Sequence, residues 1–394
     1  MMPAMVSLIA ARMASTPEML ARFDDAALVA AVLRFERELA AVLAEHGVIA
    51  AAAAAAVAQA CDRFDATGLG DAAAHAGTLA IPLVARLRAA VPAEHAAAVH
   101  RGATSQDVAD TALVLQLAQA MPLMRGELAA LGEALAVLAR RHAATPALGR
   151  TLLQPAELVS FGARAANWML GIDAAADRLD REYRGASRLA LAGAVGTLAG
   201  LGDAGPAVRA SLAERLGLAV GPAWHSRRDA IAGLGAAVGI AIGALGKLAR
   251  DISLLMQAEI AEVAEPAVAG RGGSSAMPHK RNPTGCQVAL SAAIRAPGLV
   301  ASLVGGLPQE LERGLGGWQA EAPVLAELFC LAHGAARAMR VVVDGLEVDT
   351  AAITAHADAA AARTTVDRDD AISAAARFVD DALAAHDAYV AARR

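Results

Sequence analysis

The chain has 394 residues, 56% of them hydrophobic and only 3% aromatic, with alanine and leucine dominant, so it can fill a sizeable core and favours packed helices over sheet. Lys and Arg number 35 against 40 Asp and Glu, a formal charge of −5. That balance supplies no general basic field, which argues against nucleic acid as a partner and leaves any anionic ligand to locally placed cations and helix ends.

In chain order, Leu28, Val32, Phe35, Leu39 and Leu43 recur at helical spacing, and Gly47 ends that segment. An alanine run at 50–56 leads into a second helix through Cys61. Gly68 and Gly70 interrupt the pattern, and further helical material at 79–90 stops at Pro92. Residues 1–102 are therefore expected to form an N-terminal helical domain. In His100-Arg101-Gly102-Ala103-Thr104-Ser105-Gln106-Asp107 a loop gives way to a helix, with Asp107 three residues after Thr104 as in a capping arrangement. A Thr-Ser pair of this kind most often only caps.

A long helix is expected to reach His142. Beyond Pro146, the segment Gln154-Pro155-Ala156-Glu157 reads as another helix start with proline in its first turn, running through Trp168 to Tyr183. Gly193-Ala194-Val195-Gly196-Thr197 is a glycine-rich turn without the lysine or preceding strand of a phosphate-binding loop. Trp224-His225-Ser226-Arg227-Arg228-Asp229 opens the longest amphipathic segment, which carries apolar residues at spacings of three and four from Ile231 to Leu255. Between Asp229 and Lys247 it has no charge, and Gly235, Gly239 and Gly243 recur every fourth residue. This imitates a short membrane span, but the amphipathic continuation implies a buried helix in a tightly packed bundle and no membrane partner. Cys61, Cys286 and Cys330 lack metal-ligand spacing and read as reduced thiols of a cytoplasmic protein. Arg12 follows Leu8-Ile9 instead of preceding them, against a secretory leader.

The segment Gly270-Arg271-Gly272-Gly273-Ser274-Ser275-Ala276-Met277-Pro278-His279-Lys280-Arg281-Asn282-Pro283 carries the most chemistry. Its first half reads as a mobile loop. Its end reads as an N-cap at Asn282 and a proline at the first helical position, so free N–H groups beside Lys280 would attract a carboxylate or phosphate.

From Gly273 to Pro283 the segment resembles the GSSxMPxKxNP signature of the fumarase/aspartase superfamily. The resemblance implies an all-α fold of three helical domains around a long central bundle, here 1–102, 103–343 and a short 344–394. It implies a homotetramer whose active sites are shared between subunits, small polycarboxylate substrates, and no cofactor or metal. Residue by residue, Ser274 matches the catalytic serine, and Lys280 and Asn282 would hold an enolate-like carboxylate. Thr104 and Ser105 match the pair that holds a second carboxylate, and Gln154 lies in the second conserved region, with His100, His225 and Arg228 as further lining residues. Where many of these lyases read Gly-Arg-Thr-His, this chain has Leu152. That departure, Gly102–Asp107, Trp224-His225-Ser226 and residues 309–321 are similar to the cycloisomerase branch, whose members lactonise a carboxylated muconate. Adenylosuccinate lyase or another fumarate-releasing lyase remains the alternative, and a catalytically idle structural descendant is the non-enzyme reading.

Overall fold

The structure, a computed structural model, describes residues 12–273, 277, 280–361 and 364–393. A short α1 (Pro17–Leu20) leads into α2 (Asp25–Glu45), whose N-cap Asp24 accepts the Ala27 N–H at 2.8 Å and whose chain turns away at Gly47 with φ +69°. Helices α3 (Ala51–Asp62), α4 (Leu69–Ala76) and α5 (Ala80–Ala90) complete the N-terminal part.

The bundle is made by α6 (Ser105–Arg141), α7 (Phe161–Ala186), α9 (Asp229–Leu255), α10 (Thr284–Gly305) and α11 (Gly317–Asp344), with α8 (Gly205–Leu216) beside α2. Two helices, α12 (Thr350–Ala361) and α13 (Arg368–Ala391), close the chain. α13 lies along α7, where His386 Nδ1 meets Asp173 Oδ2 at 2.7 Å. One continuous core runs from Phe35 and Leu39 through Met121, Ile172, Leu245 and Phe329 to Val379, so the three segments expected as domains share it. Each such side chain contributes about 1.5–3 kcal/mol when fully buried.

Of the every-fourth-residue glycines of α9, Gly235 and Gly239 form the small side of a helix contact, whereas a Cβ on Gly243 would meet nothing within 4 Å. A Cβ on Gly235 would lie 2.1 Å from Leu303, and one on Gly239 would lie 2.7 Å from Val300, both on α10. In α9, 61% of the most apolar 18-residue window is buried within this chain; in α10 the figure is 22%. The helix expected to start at Pro283 runs from Thr284 through Pro297 to Gly305.

One local expectation is corrected. Residues 146–160 do not begin a helix; they form an antiparallel ribbon, β1 (Pro146–Thr151) and β2 (Gln154–Ser160), with Thr151 opposite Gln154 and Arg150 opposite Pro155. Leu152 and Leu153 close it with φ of +51° and +65°, the left-handed pair that a two-residue hairpin turn demands. The helix starts only at Phe161, capped by Ser160 Oγ accepting the Ala163 N–H at 3.0 Å. Pro155 is thus a strand residue, and the helix is capped by a serine five residues later. A second, minimal ribbon pairs β3 (Val263–Ala264) with β4 (Glu347–Val348).

Candidate active site

Helix α6 has 37 residues, which at the usual rise makes it about 55 Å long and fixes the distance between the two ends of the bundle. At its start lie Thr104, Ser105, His100, His225 and Arg228; at the far end lie Gln154, Lys280 and Asn282. Within one chain the expected site residues therefore form two groups that do not meet. Ser274 falls outside the described residues.

At the first end, Asp107 is the organising group. Its fully buried carboxylate accepts four hydrogen bonds: from the N–H groups of Thr104 at 2.9 Å, Ala192 at 2.9 Å and Gly193 at 3.0 Å, and from His225 Nε2 at 2.7 Å. The glycine-rich turn thus directs its N–H groups at the chain's own carboxylate. His225 must carry its proton on Nε2, since a carboxylate with these neighbours can only accept. Its Nδ1 is buried with no hydrogen-bond partner among the described residues. His100 sits in a left-handed conformation, φ +62°, and its Nδ1 lies 2.6 Å from Oε1 of the buried Glu36. A non-glycine residue held there implies that its surroundings over-determine it.

Arg228 is corrected from a lining residue to a strut. It is 1% exposed, forked onto Asp110 at 2.8 Å twice, and hydrogen-bonded through Nε to Glu321 at 2.9 and 3.1 Å. Its guanidinium also lies 4.6 Å from the Trp224 ring centre. Burial opposes its charge, but Asp110 and Glu321 outweigh that and hold its pKa above the ordinary arginine value. Burial likewise pushes the Glu321 carboxyl up, against the pull of Arg228. Two acids share one base, and no N–H of that fork points to solvent.

Thr104 is half-buried at the N-cap of α6, and its Oγ1 accepts a hydrogen bond from Arg313 Nη1. Ser105 and Gln106 follow at the first two helical positions, where N–H groups have no partner within the helix. Arg313 lies inside the stretch 309–321, where no local pattern marks it apart from its neighbours.

The second end also departs from expectation. The N-cap of α10 is Pro283, not Asn282. The helix's opening N–H groups are already taken: Glu265 Oε2 accepts from Gly285 at 2.9 Å and Oε1 from Cys286 at 2.8 Å. The buried Glu265 carboxylate fills the anion seat expected for a ligand. Asn282 instead holds the preceding loop, its N–H donating to Gly272 O at 2.8 Å and its Nδ2 to Gly273 O at 3.4 Å. Gly272 has φ +73°, and a Cβ there would lie 2.9 Å from Asn282 O. Lys280 is exposed, and its ammonium has no partner among the described residues. A cleft of about 290 Å³ lined by Arg271, Lys280, Arg281 and Asn282 opens beside it.

Gln154 is exposed at the base of the hairpin turn whose leucines project outward, Leu152 being 96% and Leu153 72% exposed. Arg150 of the same motif is spent internally, on the fully buried Glu262 at 2.6 and 3.3 Å, where His356 of α12 also binds at 2.9 Å. The cysteines are buried, and burial pushes the thiols of Cys61 and Cys330 up to about 12. Among the described residues, no three His, Cys, Asp or Glu side chains are grouped to hold a metal.

A helical bundle with polar entrances at both ends, joined to the signature segment, defines a lyase of the fumarase type. The sequence profile of the Lyase family matches residues 12–298, and the chain belongs to that family, the fumarase/aspartase superfamily. It is 47% identical over 338 residues to the 3-carboxy-cis,cis-muconate cycloisomerase of Pseudomonas aeruginosa, covering 84% of this chain and 73% of the relative. It is 40% identical over 354 residues to the nitrosuccinate lyase of Streptomyces davaonensis, covering 86% and 74%. Among solved structures, the 3-carboxy-cis,cis-muconate lactonizing enzyme of Pseudomonas putida superposes with a TM-score of 0.89 at 35% identity, covering 98% of this chain and all of the other.

Proposed function

We propose that the protein is a cycloisomerase that lactonises 3-carboxy-cis,cis-muconate to 4-carboxymuconolactone in the cytoplasm. The reading is supported by the relatives of that activity and by the residues of the signature segment. One substrate carboxylate attacks the conjugated diene, a C–O bond forms, and the displaced π pair moves to the carbon beside another carboxylate. That enolate-like state is then protonated on carbon, so the ionised substrate takes up one proton and the lactone carries one negative charge fewer. Lys280 and Asn282 stabilise its charge, and Ser274 transfers the proton. A serine hydroxyl is a poor acid unless its neighbours shift it, which gives Lys280 its second use. Thr104 and Ser105 hold a further carboxylate, with His100 and His225 near them, and Gln154 joins the site with the group at the other end, from another copy of the chain. Arg228 and His225, both buried, act by positioning their surroundings.

The single observation that carries the arrangement is the separation of the two groups by a helix of about 55 Å. No substrate of this size bridges that length, so both groups serve one molecule only when they come from different copies of the chain. A homotetramer with shared sites meets that condition. Its central contacts would use α10, where Ile294 is 77% and Val304 50% exposed and Arg295 is the only charged residue.

The test is loss of diene absorbance on adding 3-carboxy-cis,cis-muconate to the purified protein. Thr104→Ala and Ser274→Ala variants, each nearly inactive alone, should regain measurable activity when unfolded together and refolded as a mixture. Turnover of adenylosuccinate or nitrosuccinate without lactone formation overturns the assignment of activity. Failure of the mixture to recover overturns the shared site.

A further inference from the structure

We propose that Arg313 sets the preference for a substrate with an additional carboxylate, its guanidinium forming a seat for that carboxylate together with the Thr104 hydroxyl and the first N–H groups of α6. This rests on the polycarboxylate reading above and names a residue which that reading did not contain.

Three observations carry it. The first is the direction of one hydrogen bond. Arg313 Nη1 donates to Thr104 Oγ1, which leaves the hydroxyl's own hydrogen free to donate to an incoming oxygen. The guanidinium has four further N–H donors, and its only hydrogen-bond partner among the described residues is Thr104; no described carboxylate pairs with it.

The second is the balance of charge at this end of the bundle. Glu36, Asp107, Asp110 and Glu321 are all buried there. The buried cation facing them, Arg228, is committed to Asp110 and Glu321. Asp107 sits directly under the N–H of Thr104. Hydroxyl groups alone would leave an arriving carboxylate facing that acidic background uncompensated. A guanidinium bonded to the same threonine supplies the missing charge, and its planar fork matches a carboxylate.

The third is that the Arg313 loop is braced from both sides. Between α10 and α11, Glu310 Oε2 accepts the Leu315 N–H at 2.9 Å, Trp318 Nε1 donates to Gly314 O at 3.0 Å, and Gln319 Oε1 accepts the Gly316 N–H at 2.9 Å. Leu311 and Gly316 turn the chain with φ of +45° and +96°. The arginine is thus presented from a shaped loop over the start of α6.

The experiment uses the full-length protein. With 3-carboxy-cis,cis-muconate, Arg313→Gln should raise KM at least tenfold while kcat stays within threefold, the pattern of lost uniform binding. Arg313→Lys should recover part of the loss, because it restores charge without the fork. Arg101→Gln, which removes an exposed cation from the same entrance, should leave KM within twofold. Matching thermal unfolding of all variants excludes a folding cause. A second readout is equilibrium binding of tricarballylate against glutarate: the wild type should prefer the tricarboxylate, and Arg313→Gln should lose that preference. An Arg313→Gln protein with KM within twofold of wild type and an unchanged preference overturns the proposal, as does a wild type that does not discriminate the two probes. Absence of lactonisation by the wild type would instead overturn the function proposed above, and the binding comparison would still decide the role of Arg313.

Discussion

The entrances of α6 and α10 carry similar signals in the sequence and opposite loads in the fold. Each is a polar loop that becomes a helix beside a basic residue. At α10 the chain supplies its own anion, because Glu265 reaches the N–H groups of Gly285 and Cys286. At α6 the corresponding acid, Asp107, turns back to bind Thr104, the glycine-rich turn and His225, and no carboxylate among the described residues accepts from the N–H groups of Ser105 and Gln106. A helix start is therefore a ligand site only where no carboxylate of the same chain has a shorter route to it.

The largest expected effect tests the strut behind the open entrance. Arg228→Met leaves Asp110 and Glu321 buried side by side without their base, and should cost about 3–5 kcal/mol in urea unfolding. A loss below about 1 kcal/mol would mean that the triad does not brace α6.

Next comes the sealed entrance itself. Glu265→Gln removes a charged acceptor from two N–H groups and should cost roughly 1.5–3 kcal/mol. The sharper consequence is qualitative: Glu265→Ala should gain thermal stability on adding sulfate, and the wild type should gain less. Equal responses would remove the contrast between the two ends.

A smaller effect is expected at the hairpin tip. Replacing Leu152-Leu153 by Asn-Gly suits the left-handed turn and should raise the stability of the isolated chain by about 1 kcal/mol. If the tip meets another copy of the chain, the same change should lower activity. Unchanged activity would mean that the leucines face only solvent.

The smallest effect lies between the ends. His333 is buried with Nδ1 2.8 Å from Thr16 Oγ1, and burial lowers its pKa below the ordinary histidine value. A lowered folded pKa means that the unfolded chain takes up the proton first. The contribution of His333 is therefore complete above about pH 6.5 and is lost as pH falls from there through the folded pKa. His333→Gln should flatten that part of the stability profile, and an unchanged slope between pH 7 and 5 would contradict it.

The helical class, the long helices and their spacing, and the superfamily are all legible from residue order, because each rests on local periodicity or on a contiguous run such as residues 273–283. The glycine contact of α9 was legible for the same reason: Gly235 and Gly239 recur at the helical period, whatever lies opposite. Where the acids go is set by long-range packing. Glu265, Glu262 and Glu321 carry no local pattern, and each finds its partner at least 20 residues away: Gly285, Arg150 and Arg228. Pro155 misled because proline suits a helix start and an edge strand alike, and the choice was made by the turn at Leu152-Leu153. Arg313 and Thr104 are 209 residues apart. A hydrogen bond across that separation follows from how helices pack, and packing is fixed by the whole core rather than by the residues it brings together.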